Sequence, residues 1–283
     1  MLKKINTTLL VLAMACTTQV HAQLKVPQPS PSQTVTQAFG IGEIKIEYSR
    51  PSVKGRVIFG DLVPYNAIWR TGANQSTKLT FTDEVTIGGK ALASGTYALY
   101  SMPTATEWDM MIYKDLTLGG NVSEYKAENE VLRFKVKPVA INDKMEMFTI
   151  GVNNITPTTC SIDLVWDKLK VSIPVTTDID EKVMKQIDKE MGDKRPYLSA
   201  ANYYYDNNKD MNKALEWANK AVEANPKAYW ALHTKAKIQV KLKDYKGAIK
   251  TAETSLSLAK EEQDGSYVKM NENLIAEAKK LTK

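Results

Sequence analysis

Histidine and cysteine are nearly missing: the 283 residues hold two of each. One of each pair, Cys16 and His21, falls in the first 22 residues, which read as a removable leader. The remainder keeps Cys160 and His233 alone. A single cysteine excludes an intrachain disulfide. A single histidine excludes a His-pair or Cys/His zinc site and any Ser-His-Asp triad built within one chain. No phosphate loop or dinucleotide fingerprint occurs, so the sequence implies no cofactor and no metal. Nor is positive charge concentrated. The 38 Lys+Arg stand against 32 Asp+Glu, spread over both halves of the chain, which lacks the basic footprint of a nucleic-acid binder.

The leader has three parts. Lys3 and Lys4 precede an apolar run from Leu9 to Ala15, and "CTTQVHAQ" follows. A basic start, a short apolar centre and Val20-x-Ala22 ahead of Gln23 mark a secretory signal over residues 1–22. The run is too short to span a bilayer as a helix, and no transmembrane span is expected in the mature chain. Cys16 after Ala13-Met14-Ala15 offers a second reading, lipid anchoring, although Ala13 stands where a lipobox usually carries Leu. Both readings export the protein: to the periplasm or medium by the first, to a membrane anchor on Cys16 by the second.

After the leader the hydrophobic period changes once. Over residues 23–177 it is two. "EIKIEYS" sets Ile44, Ile46 and Tyr48 on one face, "EWDMMIY" sets Trp108, Met110 and Ile112, and "VLRFKVK" sets Leu132, Phe134 and Val136. In "TTCSIDLVWD" Cys160, Ile162, Leu164 and Trp166 share a face, so Cys160 reads as a small core residue. Such alternation describes strands buried on one side. Gly88-Gly89 signals a hairpin, since both glycines tolerate positive φ. Roughly nine strands at this spacing predict an antiparallel β-sandwich, with a closed β-barrel as the alternative.

Over residues 178–283 the period is helical. "TTDIDEKVMKQIDKEMG" predicts a helix with Asp178 as N-cap, Glu181 completing a capping box and Gly192 ending it. "DMNKALEWANKAVEANP" and "DYKGAIKTAETSLSLAK" then superpose at an offset of 34, pairing Asp210 with Asp244, Ala214 with Ala248 and Ala218 with Ala252. Helix pairs at that period resemble tetratricopeptide repeats. The expected fold class is therefore α+β in two domains, a β-sandwich followed by a helical repeat domain. His233 reads as a surface or partly packed helical residue. Tyr203, Tyr204 and Tyr205 cannot all be buried on one helix face, which makes them candidates for a protein-binding groove. Lysines 235, 237, 241, 243, 246 and 250 read as a solvated face.

The densest chemistry lies in "YSRPSVKGR" and "IFGDLVPYNAIWRTGANQSTKLTF". Here Arg50, Lys54, Arg56 and Arg70 keep company with Tyr65, Trp69 and Asn74. If these side chains converge they form a pocket for an anionic or glycan-like ligand, with Trp69 as platform and Asn74 as orienting group. The other reading is a clasp, with the arginines pinning a long loop through backbone carbonyls. Carboxylates for a hydrolase acting on an envelope polymer or glycan would have to come from Glu107, Asp109, Asp115 or Asp163. No residue is assigned a catalytic role, and the sequence favours binding or scaffolding over catalysis. The β domain would take a ligand or surface, the helical repeats a protein or peptide.

Four segments, "YSRPSVKGR", "FGDLVPYNAIWRTGANQST", "VTIGGKALASGTYAL" and "WDKLKVSIPV", resemble, in order, an exported family, domain of unknown function 2911. The resemblance covers about residues 25 to 175. It implies an exported β-rich domain, sometimes followed by tetratricopeptide repeats, and supplies no activity or catalytic residue. The segment "KDLTLGGN" departs from the Trp-Gly that the family tends to carry after the "KD" turn, so this loop is expected to differ.

Overall fold

The computed structural model describes residues 26–282. The expected signal peptide and Cys16 lie outside the described residues. The chain divides into two compact units, one ending at Thr177 and one beginning at Asp178.

The first unit is antiparallel β. Its strands are β1 Ser32–Phe39, β2 Gly42–Ser49, β3 Thr77–Phe81, β4 Val85–Ile87, β5 Lys90–Leu92, β6 Gly95–Pro103, β7 Trp108–Tyr113, β8 Glu130–Val136, β9 Val139–Asn153 and β10 Thr159–Thr176. They form two open sheets, a six-stranded one in the order β1-β2-β3-β6-β7-β8 and a four-stranded one in the order β5-β4-β10-β9. The sandwich expectation holds and the closed barrel does not. Gly88 and Gly89, both at positive φ, make the turn between β4 and β5. Only glycine suits position 88, where a Cβ would strike the Phe134 ring.

One apolar core joins the inner faces. The predicted alternation buries Ile44, Ile46, Trp108, Met110, Ile112, Ile162, Leu164 and Trp166 together. Cys160 belongs to the same core, and burial pushes its thiol up to about 11. At neutral pH it is a packed, protonated side chain. The outer face of β6 and β7 departs from simple alternation. Ala98, Tyr100, Met111 and Tyr113 are buried there as well, under Ile68, Leu118, Val122 and Tyr125 from the flanking connections.

Strand β10 is sharply bent. Asp163 and Lys170 form an ion pair at 2.8 Å although seven positions apart on that strand. A straight strand would separate their backbones by roughly 23 Å. The bend sits at the register shifts around Asp167, whose φ is 52°, as expected of bulges that increase bending and twist.

The second unit has six helices: α1 Asp180–Asp193, α2 Tyr197–Asp206, α3 Met211–Ala224, α4 Tyr229–Lys241, α5 Tyr245–Glu261 and α6 Gly265–Leu281. From α2 onward each helix packs on the next. Asp210 and Asp244 cap α3 and α5 with their carboxylates. Ala214, Ala218, Ala248 and Ala252, the aligned small positions, are fully buried, which lets the helices approach closely.

Three local expectations are corrected. The capping box at α1 does not form. Ile179 is the N-cap and offers no side-chain bond, while Glu181 pairs with Lys185 instead. Gly192 does not stop α1, which continues to Asp193. His233 is 5% exposed rather than a surface residue. Its Nδ1 lies 2.8 Å from Asn271 Oδ1, and Asn271 Nδ2 donates to Ser255 Oγ at 2.9 Å. Asn271 uses its amide as donor, so Nδ1 of His233 carries the proton. The buried polar chain is satisfied along its length, as such groups must be.

Candidate functional site

The connection from β2 to β3, residues 50–76, is irregular for reasons visible in its residues. Pro51 and Pro64 remove backbone donors. Lys54, Gly55, Gly60, Asn66, Thr71 and Asn74 all adopt positive φ, which breaks any strand period. Such a long loop stays ordered by anchoring. Ile58 and Val63 are buried, and Trp69 exchanges backbone bonds with Ser101 of β6 at 2.7 and 2.9 Å.

The predicted site residues fall into two groups. Arg50, Asn74 and Tyr65 do not reach the cleft described below. Arg50 donates from Nε to the Phe148 carbonyl at 3.0 Å and from Nη2 to Thr149 Oγ1 at 2.7 Å, tying the loop to β9. Asn74 donates to the Ser30 carbonyl at 3.1 Å and to Ser49 Oγ at 3.2 Å. Tyr65 lies with its ring over Gly60.

Lys54, Arg56, Trp69 and Arg70 do come together, around a cleft of ≈ 290 Å³ that Ser30, Ser52, Leu62 and Trp166 help to line. Arg56 turns back on its own loop, Nε to the Val53 carbonyl at 3.1 Å and Nη2 to the Ser52 carbonyl. Arg70 donates from Nη1 to the Gly120 carbonyl at 3.1 Å. Gly120 is glycine because a Cβ there would strike this guanidinium. Lys54 is fixed through its backbone N–H, which donates to Glu146 Oε1 at 2.7 Å. That bond holds the Glu146 carboxyl below the usual carboxylate range.

The cleft is rich in donors and cations. No Asp or Glu lines it, and among the described residues no carboxylate lies within ion-pair distance of Lys54, Arg56 or Arg70. Two donors on its lining residues, Nε of Arg70 and Nε1 of Trp166, are buried with no protein acceptor, which is costly unless something else accepts from them. Trp69 is held tightly. Its Nε1 donates to the Gly72 carbonyl at 3.0 Å, and its ring stacks on Trp166 at 6.0 Å and 18°. Phe59, Trp108 and Phe148 pack on the same ring edgewise. One face of Trp69 is thus spent on Trp166.

The four carboxylates considered for hydrolysis stand apart from this cleft, each engaged. Glu107 pairs with Lys135 at 2.6 Å and Asp109 with Arg133 at 3.3 Å. Asp115 accepts from Thr117, which holds its carboxyl below the ordinary range. Asp163 is taken by Lys170 and by Asn153 at 3.0 Å. Among the described residues no group of three or more His, Cys, Asp or Glu is arranged to hold a metal.

In the helical unit the three consecutive tyrosines part company. Tyr204 is buried edge-on against Trp217 at 4.7 Å. Tyr203 donates to Asp180 Oδ1 at 2.8 Å, and burial together with that carboxylate pushes its phenol up to about 12. Tyr205 lies under Lys237, 4.5 Å from its ring centroid, with Lys241 farther off. They share no common groove: Tyr203 lines a cleft with α1 residues, and Tyr205 one with α4 and α6 residues.

Among the lining residues that sequence reasoning missed are Trp166 and Leu62. Trp166 was assigned to the core, and alternation gives no sign that a core residue also floors a cleft. Leu62 was not readable either, since Val63 beside it, between the same Gly60 and Pro64, enters the core.

No curated protein and no solved structure matches the chain. A family model does match, over residues 30–175, more than half of the sequence, so the protein belongs to the family described as protein of unknown function, DUF2911.

Proposed function

We propose that the β unit is a binding module whose basic cleft receives the anionic group of a small ligand, within an exported scaffolding protein. The observation that carries this is the lining itself: Lys54, Arg56 and Arg70 converge on a cleft whose lining holds no Asp or Glu. Arginine suits carboxylate or phosphate through its planar fork. The same lining supports binding over carboxylate-dependent hydrolysis, because two acids flanking a scissile bond are what such chemistry needs. The leader over residues 1–22 supports export. Protein sequencing of the cell-associated form should begin at Gln23, and a lipidated start at Cys16 would replace the cleaved form with an anchored one. Within the helical unit, the cap pair Asp210 and Asp244 and the buried alanines at one offset support a tetratricopeptide-like pair that contacts a protein segment.

The test is titration of the mature protein with acetate, glucuronate, inorganic phosphate and neutral glucose, followed by calorimetry and tryptophan fluorescence. An anion should bind and glucose should not. Lys54→Ala with Arg56→Ala should weaken the bound anion at least tenfold without moving the thermal midpoint by more than a few degrees. Equal binding of glucose and the anions, or no effect of the double variant, would overturn the reading.

A further inference from the structure

Two clefts meet at Arg70. Beyond the wall formed by Leu62, Trp69 and Arg70 lies a second recess, also ≈ 290 Å³, completed by Ile68 and Val122. Arg70 is the only charged residue lining it. One side of this wall therefore gathers cations, and the side chains on the other are apolar apart from Arg70 and the Trp69 indole. We infer that the ligand is a single-chain amphiphile, its acid group in the basic cleft and its hydrocarbon tail passing Leu62 into the apolar one. This rests on the anion reading above and adds the class of molecule.

Three observations carry it. The first is exposure that cannot relax. Leu62 is 42% exposed, with Val57 at 65% and Tyr65 at 40% on the same loop. The loop is pinned by Val63 N donating to the Ile58 carbonyl at 2.8 Å and Gly60 N donating to the Val63 carbonyl at 2.9 Å. With Ile58 and Val63 already filling the core below, Leu62 has nowhere inward to turn. Of the three exposed side chains only Leu62 borders the recesses, and it borders both, so it is placed to touch whatever runs between them.

The second is size. Ligand pockets usually enclose about 300–1,000 Å³, so each recess alone falls just short of a ligand's usual room, and the two border on the same residues, Leu62, Val63, Trp69 and Arg70. The third is chemistry. An inorganic anion or a short sugar acid would fill the basic side and leave the apolar side in water. A neutral hydrocarbon would leave the cations unanswered. An alkyl carboxylate satisfies both at once.

The experiment is a homologous series, acetate, butyrate, hexanoate, octanoate and decanoate, each kept below its micelle concentration and titrated into the full mature protein. Calorimetry and tryptophan fluorescence read the binding. Affinity should rise about twofold to fourfold per methylene, as expected for a partly to fully buried chain. In Leu62→Asn and in Val122→Asn the decanoate-to-butyrate ratio should fall at least tenfold, with thermal midpoints confirming that both variants are folded. Methyl octanoate, which keeps the chain and loses the charge, should bind at least tenfold more weakly than octanoate.

If short anions bind and chain length changes nothing, the amphiphile inference falls and the anion reading stands. If no carboxylate of any length binds, the amphiphile inference falls, and the anion reading falls with it when inorganic phosphate fails to bind as well. If affinity rises with length but neither asparagine variant alters the ratio, the tail lies elsewhere and the inference falls.

Discussion

The two units of this chain fill their interiors in opposite ways. The β unit uses large rings, with Phe59, Trp69, Trp108, Phe148 and Trp166 in mutual contact. It ties strand to strand and loop to strand by bonds between residues far apart in sequence. Tyr48 Oη accepts the Ile150 N–H at 2.8 Å, and Arg50 reaches the Phe148 carbonyl. The helical unit uses alanine, with Ala201, Ala214, Ala218, Ala236, Ala248 and Ala252 fully buried, and its caps bond two or three residues ahead. The contrast teaches which insult each core resists. One should be sensitive to volume lost, the other to volume gained.

The largest expected effect tests the first half of that statement. Trp166, 2% exposed, contacts three aromatic rings. Trp166→Ala should cost about 3–5 kcal/mol, seen as an earlier urea transition in tryptophan fluorescence while helical ellipticity at 222 nm persists. A loss under about 1 kcal/mol would mean that the ring cluster is redundant. The converse is Ala252→Leu, which forces extra methylenes between α4, α5 and α6 beside Ala236, Leu274 and Ile275. Overpacking of this kind costs about 1–3 kcal/mol and should appear in the 222 nm transition alone. A neutral or stabilising result would show slack where the alanines imply contact.

These same cores explain what the sequence made legible. Strands such as "EIKIEYS" announce their buried face because the pleat alternates and one side is wet. The bend of β10 is legible too: the apolar face runs over even positions to Trp166 and resumes on odd ones at Leu169 and Val171, a one-residue slip of the kind a bulge makes. The second buried face of β7 was hidden, because its cover comes from connections whose path depends on tertiary contacts such as Arg70 to Gly120. Within the site, the residue types were readable and the geometry was not. Nothing local distinguishes Arg50, which is spent on β9, from Arg56, which lines a cleft. His233 was misread for a related reason: its partner Asn271 lies 38 residues on, beyond any helical period.

That histidine offers a smaller effect that also separates the units, since His233 is the only histidine among the described residues. Burial holds its imidazole below the ordinary value, opposed by the bond to Asn271 and assisted by Lys237. The unfolded chain, titrating near about 6.5, then binds more protons than the folded one as pH falls, so folding is penalised on acidification. The stabilisation is whole above that value and is lost as pH drops through the lower folded one. Between pH 7.5 and 5.5 the helical unit's urea midpoint should fall while that of the β unit holds. His233→Gln should flatten the drift whatever it does to stability at pH 7.5. Equal drift in both units would assign the effect to carboxylates instead.

The smallest expected effect matters most for the site. Arg50 and Arg56 stand six positions apart at the head of the same loop. Arg50 bonds across to β9, so its loss unties a long-range clasp. Arg56 bonds only carbonyls three and four residues back, on an exposed turn, and the backbone bonds of Ile58, Gly60 and Val63 keep that turn without it. Arg56→Ala should therefore change stability by about 0.5 kcal/mol or less, measured by thermal denaturation beside Arg50→Ala, which should lose clearly more. With its fold intact, Arg56→Ala becomes the clean reporter: any weakening of anion binding in it comes from the lost guanidinium at the cleft. If Arg56→Ala instead unfolds as readily as Arg50→Ala, both arginines are clasps, and the cations gathered around Trp69 are architecture rather than a site.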